Sequence, residues 1–321
     1  MDKRRKRQHF GVRFRLLLAF IPVFLIVAGA FFWFRSMQDI GNRMTVVIAA
    51  DPAVVLSWDS QNNTFTILSL RSDMTIEAVH GYGQYSLESL WKLGVLEGKA
   101  GTVLAESVEE LLAVPVREYI GARSHALLEK KDPVAMVKEI FSPRSILAFL
   151  RGTYATNISP ISFWSLSWAI SQTRPENIRT IDLSTSVGEL SLPDGSLVYV
   201  ADVNRMDQKI GDRFEDEAIR KEALSVAVFN TTPVSSLGTR VARLMGHVGI
   251  LVITVGNDRP LVASCTMSGE KKALESQTAQ MVRELFSGCE EKEPTERDRA
   301  DLTVRIGTTY QARFLPFRPA P

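Results

Sequence analysis

The side chains in this chain that could carry chemistry are few and widely separated. Four histidines, His9, His80, His125 and His247, are scattered along the sequence, and only His80 has a suggestive setting. It opens a loop running to Gln84 that holds Gly81 and Gly83. An imidazole in such a loop can exchange protons near neutral pH or simply sit in solvent. Gly81-Tyr82-Gly83 is too short to cradle a phosphate, and turn geometry is the ordinary use of its glycines. Two cysteines, Cys265 and Cys289, lie in the last third. They form a disulfide or stay as two separate buried thiols, and an exported location would permit the first. There is no C-x-x-C, H-E-x-x-H, P-loop or G-x-S-x-G, which removes zinc-peptidase, P-loop and α/β-hydrolase chemistry. No metal site and no cofactor is called for.

The segment that decides where any site would lie is the apolar run Leu16 to Phe34. It carries no charge and, at about 1.5 Å per residue, is just long enough for a hydrocarbon core of roughly 30 Å. Before it stand Lys3, Arg4, Arg5, Lys6, Arg7, Arg13 and Arg15, opposed by Asp2 alone; after it come Arg35, Asp39 and Arg43. That asymmetry puts the N-terminus in the cytoplasm and the bulk outside. The reading is a basic leader over 1–15 and a transmembrane helix over 16–35, in the cytoplasmic membrane. A cleaved signal peptide is the rival, because Ala28-Gly29-Ala30 has the small-x-small form of a cleavage site. Against it, Phe31-Phe32-Trp33-Phe34 extends the apolar run and suits an outer interfacial belt. The net charge of +2 is smaller than the leader's contribution, so the exported part is mildly acidic and offers nucleic acid no basic patch.

Beyond a short polar tether, periodicity predicts strands over 44–50, 54–58 and 64–70, the last two joined by the turn residues Asp59 to Asn63. Leu87, Leu90, Trp91 and Leu93 follow at helical spacing. A second helix buries Val103, Leu104, Val108, Leu111 and Leu112 and turns Glu106, Glu109 and Glu110 outward, with Pro115 as its stop. Further helices are expected around 134–141, 146–150 and 163–170, the last holding the aromatic cluster Phe163 to Trp168, read as core. Strands over 178–183 and 196–201 precede a charged linker helix within 206–224. The final unit, 225–311, reads βαββαβ, a two-layer α/β sandwich, and 312–321 is a proline-rich, flexible tail. The fold class is α/β (α+β).

The final unit resembles the C-terminal domain of LytR-type proteins: a strand closing in Asn (VAVFN), a Thr/Ser-rich turn before Leu237-Gly238, a helix ending VARLMGHVG and a closing strand before Gly-x-x-Tyr (LTVRIGTTY). Residues 44–205 are similar to the LytR-CpsA-Psr catalytic domain, which implies a mixed sheet in a three-layer domain. The stretch VVIAADPAVVLSWDSQNNTFTILSLRSD follows the family's track. On it Asp51 falls on the first family aspartate, Asp59 on the strand-end aspartate and Asp73 on the aspartate of P-R-D. The family moves a glycopolymer from polyprenyl pyrophosphate to peptidoglycan, and forked guanidinium groups hold the diphosphate. Here Ala49 and Ser72 stand at the arginine positions and Arg71 falls one residue early, a slip that turns a strand side chain to the other face. The glycine-rich loop before the first aspartate is missing too.

The resemblance with those losses implies a degenerate relative: a membrane-anchored, extracytoplasmic, non-catalytic binding or scaffold protein of the cell envelope. Its expected partners are the membrane and a cell-wall glycan, a polyprenyl-linked precursor or an envelope protein. Ligand-binding candidates are Asp51, Arg71, Asp73 and His80. The alternative is an active phosphotransferase using Mg2+ at Asp51 and Asp73, with arginines drawn from Arg71, Arg117, Arg144 or Arg151.

Overall fold

A computed structural model describes residues 43–315 except 100, 124–126, 130–131, 194 and 296–297. The leader, the apolar run, His9, His125 and the end of the tail lie outside the described residues. No helix among the described residues is long and apolar enough to cross a membrane.

The first unit is built on a six-stranded mixed sheet. Arg43–Ile48 pairs antiparallel with Ala53–Asp59, which pairs antiparallel with Thr64–Leu70. Ile178–Asp182 lies parallel to Thr64–Leu70 at one margin. On the other side Glu118–Ala122 is parallel to the first strand and carries Tyr154–Thr156 antiparallel at its flank. Each central strand is apolar on both faces, the pattern of a sheet covered twice. Val47, Val55 and Leu68 meet helices Leu87–Leu96 and Thr102–Leu112. Val46, Leu56 and Ile67 meet helices Pro133–Ile140 and Pro160–Gln172. The unit therefore has three layers.

Against the sequence expectation, Trp164 and Trp168 of the aromatic cluster are exposed, while Phe163 and Leu166 are core. The predicted loop His80 to Gln84 runs into a strand, Gly83–Ser86, in a small sheet with Thr75–Ala78, Leu197–Ala201 and Val187–Ser191. The linker contains the helices Val203–Ile210 and Glu217–Glu222 rather than one continuous helix.

The second unit is a five-stranded sheet in the order Leu251–Asn257, Ser225–Asn230, Leu302–Ile306, Cys265–Gly269, Cys289–Lys292. Its core face, from Val226, Val228, Val304 and Ile306, is covered by helices Leu237–His247 and Gln277–Leu285. The βαββαβ expectation is corrected by one strand. Cys289–Lys292 is short, highly charged and marginal in the sheet, so no alternation betrayed it. It pairs parallel with Cys265–Gly269 so that Cys265 and Cys289 are register partners; their Cα atoms are 4.3 Å apart and a disulfide joins them.

Candidate functional site

The aspartates follow from strand ends. Thr64–Leu70 delivers Arg71, Ser72 and Asp73 at its C-terminal end, beside the two-residue strand Ala50–Asp51 that continues the first strand. Ser72 Oγ donates to Asp51 Oδ1 at 2.7 Å. The Arg71 guanidinium turns onto Asp73 in a two-point pair, Nε to Oδ1 2.9 Å and Nη2 to Oδ2 2.7 Å. Its flat face lies 3.8 Å from the centre of the Tyr199 ring. The hydrogen bond to Asp73 raises the Arg71 pKa above its ordinary value, and the same bond holds the Asp73 carboxyl below its own.

The structure thus brings Arg71 to Asp73 and Ser72 to Asp51. With one guanidinium against two carboxylates the group carries a net negative charge, which repels a diphosphate. Both Asp73 oxygens are engaged by Arg71, and no group of three or more His, Cys, Asp or Glu among the described residues could hold a metal ion. Tyr199, on a strand more than a hundred residues downstream, is the partner that the sequence pattern did not reveal.

The other candidate arginines do not converge there. Arg117 precedes Glu118, whose partner is Val46 in the middle of the first strand. It therefore lies several rows along the strands from Arg71, where it donates to the Glu284 carbonyl of the second unit. Arg144 and Arg151 flank the Ser145–Leu150 helix, exposed, on the far layer. The space under the Leu87–Leu96 and Thr102–Leu112 helices is filled. Trp91 is fully buried there, and it lies so close to Gly121 that a Cβ on that glycine would come within 2.5 Å of its ring. A cavity of about 70 Å3 in the second unit, bordered by Cys265, Phe286, Tyr310 and Arg313, has room for a few waters but not for a prenyl chain.

His80 belongs to a different assembly, the junction of the two units. Its backbone takes the left-handed conformation, φ +59°. Its N–H donates to the Arg313 carbonyl at 2.6 Å. One ring nitrogen, Nε2, is 2.6 Å from Glu106 Oε2 and the other, Nδ1, 3.3 Å from the Ala312 carbonyl. The acidic side of the Thr102–Leu112 helix, expected to face solvent, is covered by the C-terminal turn. Glu109 pairs with Arg313 and accepts the Val116 N–H, and Tyr310 donates to Glu110 at 2.7 Å. Burial raises the Glu110 pKa, and burial together with the Glu110 charge carries the Tyr310 hydroxyl well above its ordinary value. Burial pulls the Arg313 pKa down, but the charge and hydrogen bond of Glu109 more than offset it and the net direction is up.

The last turn of the same helix is held from the second unit. Helix ends leave carbonyls without intrahelical donors. Arg243 supplies two, from Nη1 to Glu110 O at 3.0 Å and from Nη2 to Leu111 O at 2.8 Å, while its Nε and Nη2 hold Asp207 at 2.8 and 2.6 Å. His247 Nδ1 lies 3.0 Å from Leu112 O. Cations at a helix C-terminus also meet the negative end of its dipole. Of the residues of this junction, sequence offered only His80 as a binding candidate, and it read Glu106, Glu109 and Glu110 as a solvated face.

The class defined by these features is a two-unit α/β protein whose second unit is clamped to a helix of the first. Residues 223–310 match the family described as LytR cell envelope-related transcriptional attenuator; that unit is a LytR C-terminal domain. No curated protein matches the chain. Among solved structures it is similar to the transcriptional regulator YvhJ from Bacillus subtilis, with 14% identity over 52% of this chain and 93% of that one and a TM-score of 0.40. It is also similar to TagV of B. subtilis, at 12% identity, 52% and 92% coverage and TM-score 0.37, and to TagT bound to LIIa-WTA, at 14%, 52%, 88% and 0.36. These are LytR-CpsA-Psr proteins.

Proposed function

We propose that this chain is a non-catalytic scaffold or binding protein of the cell envelope, held in the cytoplasmic membrane by residues 16–35 with its two units outside. The observation that carries the reading is the closure of Arg71 onto Asp73 and Tyr199. A transferase of the resembled kind needs guanidinium groups free to meet the charge of a diphosphate. In this chain the one arginine beside the aspartates is spent within two residues of itself. The junction supports a scaffold in a second way, since Arg243, His247 and Arg313 fix the LytR C-terminal domain against the first unit. A partner protein or a cell-wall glycan would then meet both units as one surface.

The test is binding of a polyprenyl-pyrophosphate lipid to the full chain in nanodiscs, with and without magnesium, beside the Arg71→Ala and Asp51→Ala variants. The expected result is no magnesium-dependent binding and no difference among the three proteins. Tight binding that both substitutions abolish would overturn the reading in favour of an active phosphotransferase.

A further inference from the structure

The Pro160–Gln172 helix carries an apolar stripe that nothing in the described chain covers. Ile161, Trp164 and Trp168, at spacings of three and four, are 37%, 44% and 57% exposed. They share one side of the helix, and Phe163, Leu166 and Ile170 on the other side are buried against the sheet. The neighbouring Ser145–Leu150 helix, packed on it through Phe149 and Phe163 with ring centres 4.1 Å apart, adds exposed Leu147 and Leu150.

Strand register locates this helix. Before it, Asn157 is bonded to Tyr119 N and Arg117 O, at the beginning of a strand that lies parallel to Arg43–Ile48. After it, Ile178 is in register with Phe65, Phe65 with Trp58, and Trp58 with Met44. The chain thus approaches the helix beside Thr45 to Val47 and leaves it towards Met44, in the half of the sheet where the chain enters at Arg43. Thirteen residues of helix span about 20 Å, close to the roughly 24 Å across six strands. The helix runs across the strands in that half.

Only eight residues separate Phe34, the end of the apolar run, from Arg43, a reach of at most about 32 Å even when extended. Resting on the anchor proposed above, we infer that Ile161, Trp164 and Trp168 dock on the lipid bilayer from which the chain emerges. Tryptophan has the amphipathic ring favoured at headgroup depth. The charges near the end of the helix agree: Arg174 and Arg179 are exposed, with only Glu176 between them, a balance that favours an anionic surface.

The test uses the full chain with Trp33→Phe, reconstituted in phosphatidylcholine–phosphatidylglycerol vesicles with plain or brominated acyl chains. Of five tryptophans four then remain; Trp58 and Trp91 are buried in the core and Trp164 and Trp168 are exposed. Brominated lipid is expected to remove roughly half of the emission, and the quenching disappears when Trp164→Phe and Trp168→Phe are added. Equal emission in the two kinds of vesicle overturns the docking. So does cross-linking of the stripe to a second copy or another protein in place of lipid. Alkaline carbonate extraction separates the two ideas. Unquenched protein that resists extraction keeps the anchor and sinks the docking face. Protein that carbonate releases sinks the anchor, and the face then stands only if flotation with vesicles at neutral pH is lost on Trp164→Ser and Trp168→Ser.

Discussion

Arg243→Ala should be the most damaging single change at the junction. The side chain is about a quarter exposed and makes four hydrogen bonds, two to the Asp207 carboxylate and two to the carbonyls of Glu110 and Leu111. Truncation leaves those carbonyls without their charged donor and Asp207 without its partner. A hydrogen bond to a charged group contributes about 1.5–3 kcal/mol when well shielded, and partial exposure lowers that. Because the four share one side chain and are not additive, the expected loss is about 2–4 kcal/mol, a drop of roughly 3–7 °C in Tm for a chain of this size. Arg243→Lys should recover little, since an ammonium cannot hold a carboxylate and two carbonyls with one planar fork. Differential scanning calorimetry of the full chain reads both variants. Loss of the clamp should also split one cooperative transition into two, one for each unit. A variant within about 0.5 kcal/mol of the parent, the range of ordinary surface changes, with a single transition retained, would refute the idea that Arg243 couples the units.

Three further outcomes follow from local chemistry. Asp298 is 2% exposed in its ion pair with Arg305; burial opposes its ionisation, yet bonds from Thr295, Arg305 and Ser268 bring its pKa down to about 2 from an ordinary 3.8. A lowered carboxylate stabilises the fold fully above the unfolded value and loses that contribution as pH falls through the folded value, so about 2 kcal/mol should vanish between roughly pH 4 and pH 2. The denaturation midpoints of parent and Asp298→Asn should therefore differ at pH 6 and converge at pH 2. Gly121→Ala drives a methyl into the Trp91 ring, 2.5 and 2.7 Å from its carbons, and towards Ala49, and chemical denaturation should show a loss of about 1–3 kcal/mol. Reduction of the Cys265–Cys289 disulfide, which closes a loop with a sequence separation of 24, should cost about 3 kcal/mol on the chain-entropy account, visible as a lower Tm in reductant.

The central strands and the main helices were legible because their periods are strong. Thr64–Leu70 is found where alternation puts it, and Thr102–Leu112 where its buried leucines and valines put it. The short strands Thr75–Ala78, Gly83–Ser86 and Val187–Ser191 were not, since four or five residues with glycine or charge among them carry no clear period. Polar partners were harder still. The acidic side of the Thr102–Leu112 helix looks like any solvated face, and only the fold reveals that Arg313 and Tyr310, two hundred residues away, return to cover it. Arg71 was found from spacing, but its commitment to Asp73 depends on a side-chain torsion and on Tyr199, neither of which a linear pattern contains. Trp164 and Trp168 were assigned to the core on hydrophobicity alone, although their phase on the helix opposes that of Phe163 and Leu166.

The docking face and the loss of the arginine clamp bear on one another through the length of the sheet. Arg71 and Asp51 lie beyond the C-terminal ends of their strands, while Arg43 and the two ends of the Pro160–Gln172 helix lie towards the other end. The seven residues of Thr64–Leu70 put about 23 Å between the two along the strands. The stripe faces away from the sheet, so with it on the bilayer the aspartates are displaced from the docked helix along the membrane and stand above it by the thickness of the helix layer, whereas the diphosphate of a prenyl lipid is confined to the headgroup level. A spin label placed at Asp73 in the reconstituted full chain should then be relaxed by a water-soluble nickel chelate and not by oxygen dissolved in the acyl chains, with the opposite preference for a label at Ile161. A label at Asp73 that senses the lipid phase would bring the aspartates to the membrane surface, remove the geometric argument against a lipid-linked substrate, and return the transferase reading to contention whatever Arg71 does in the unbound protein.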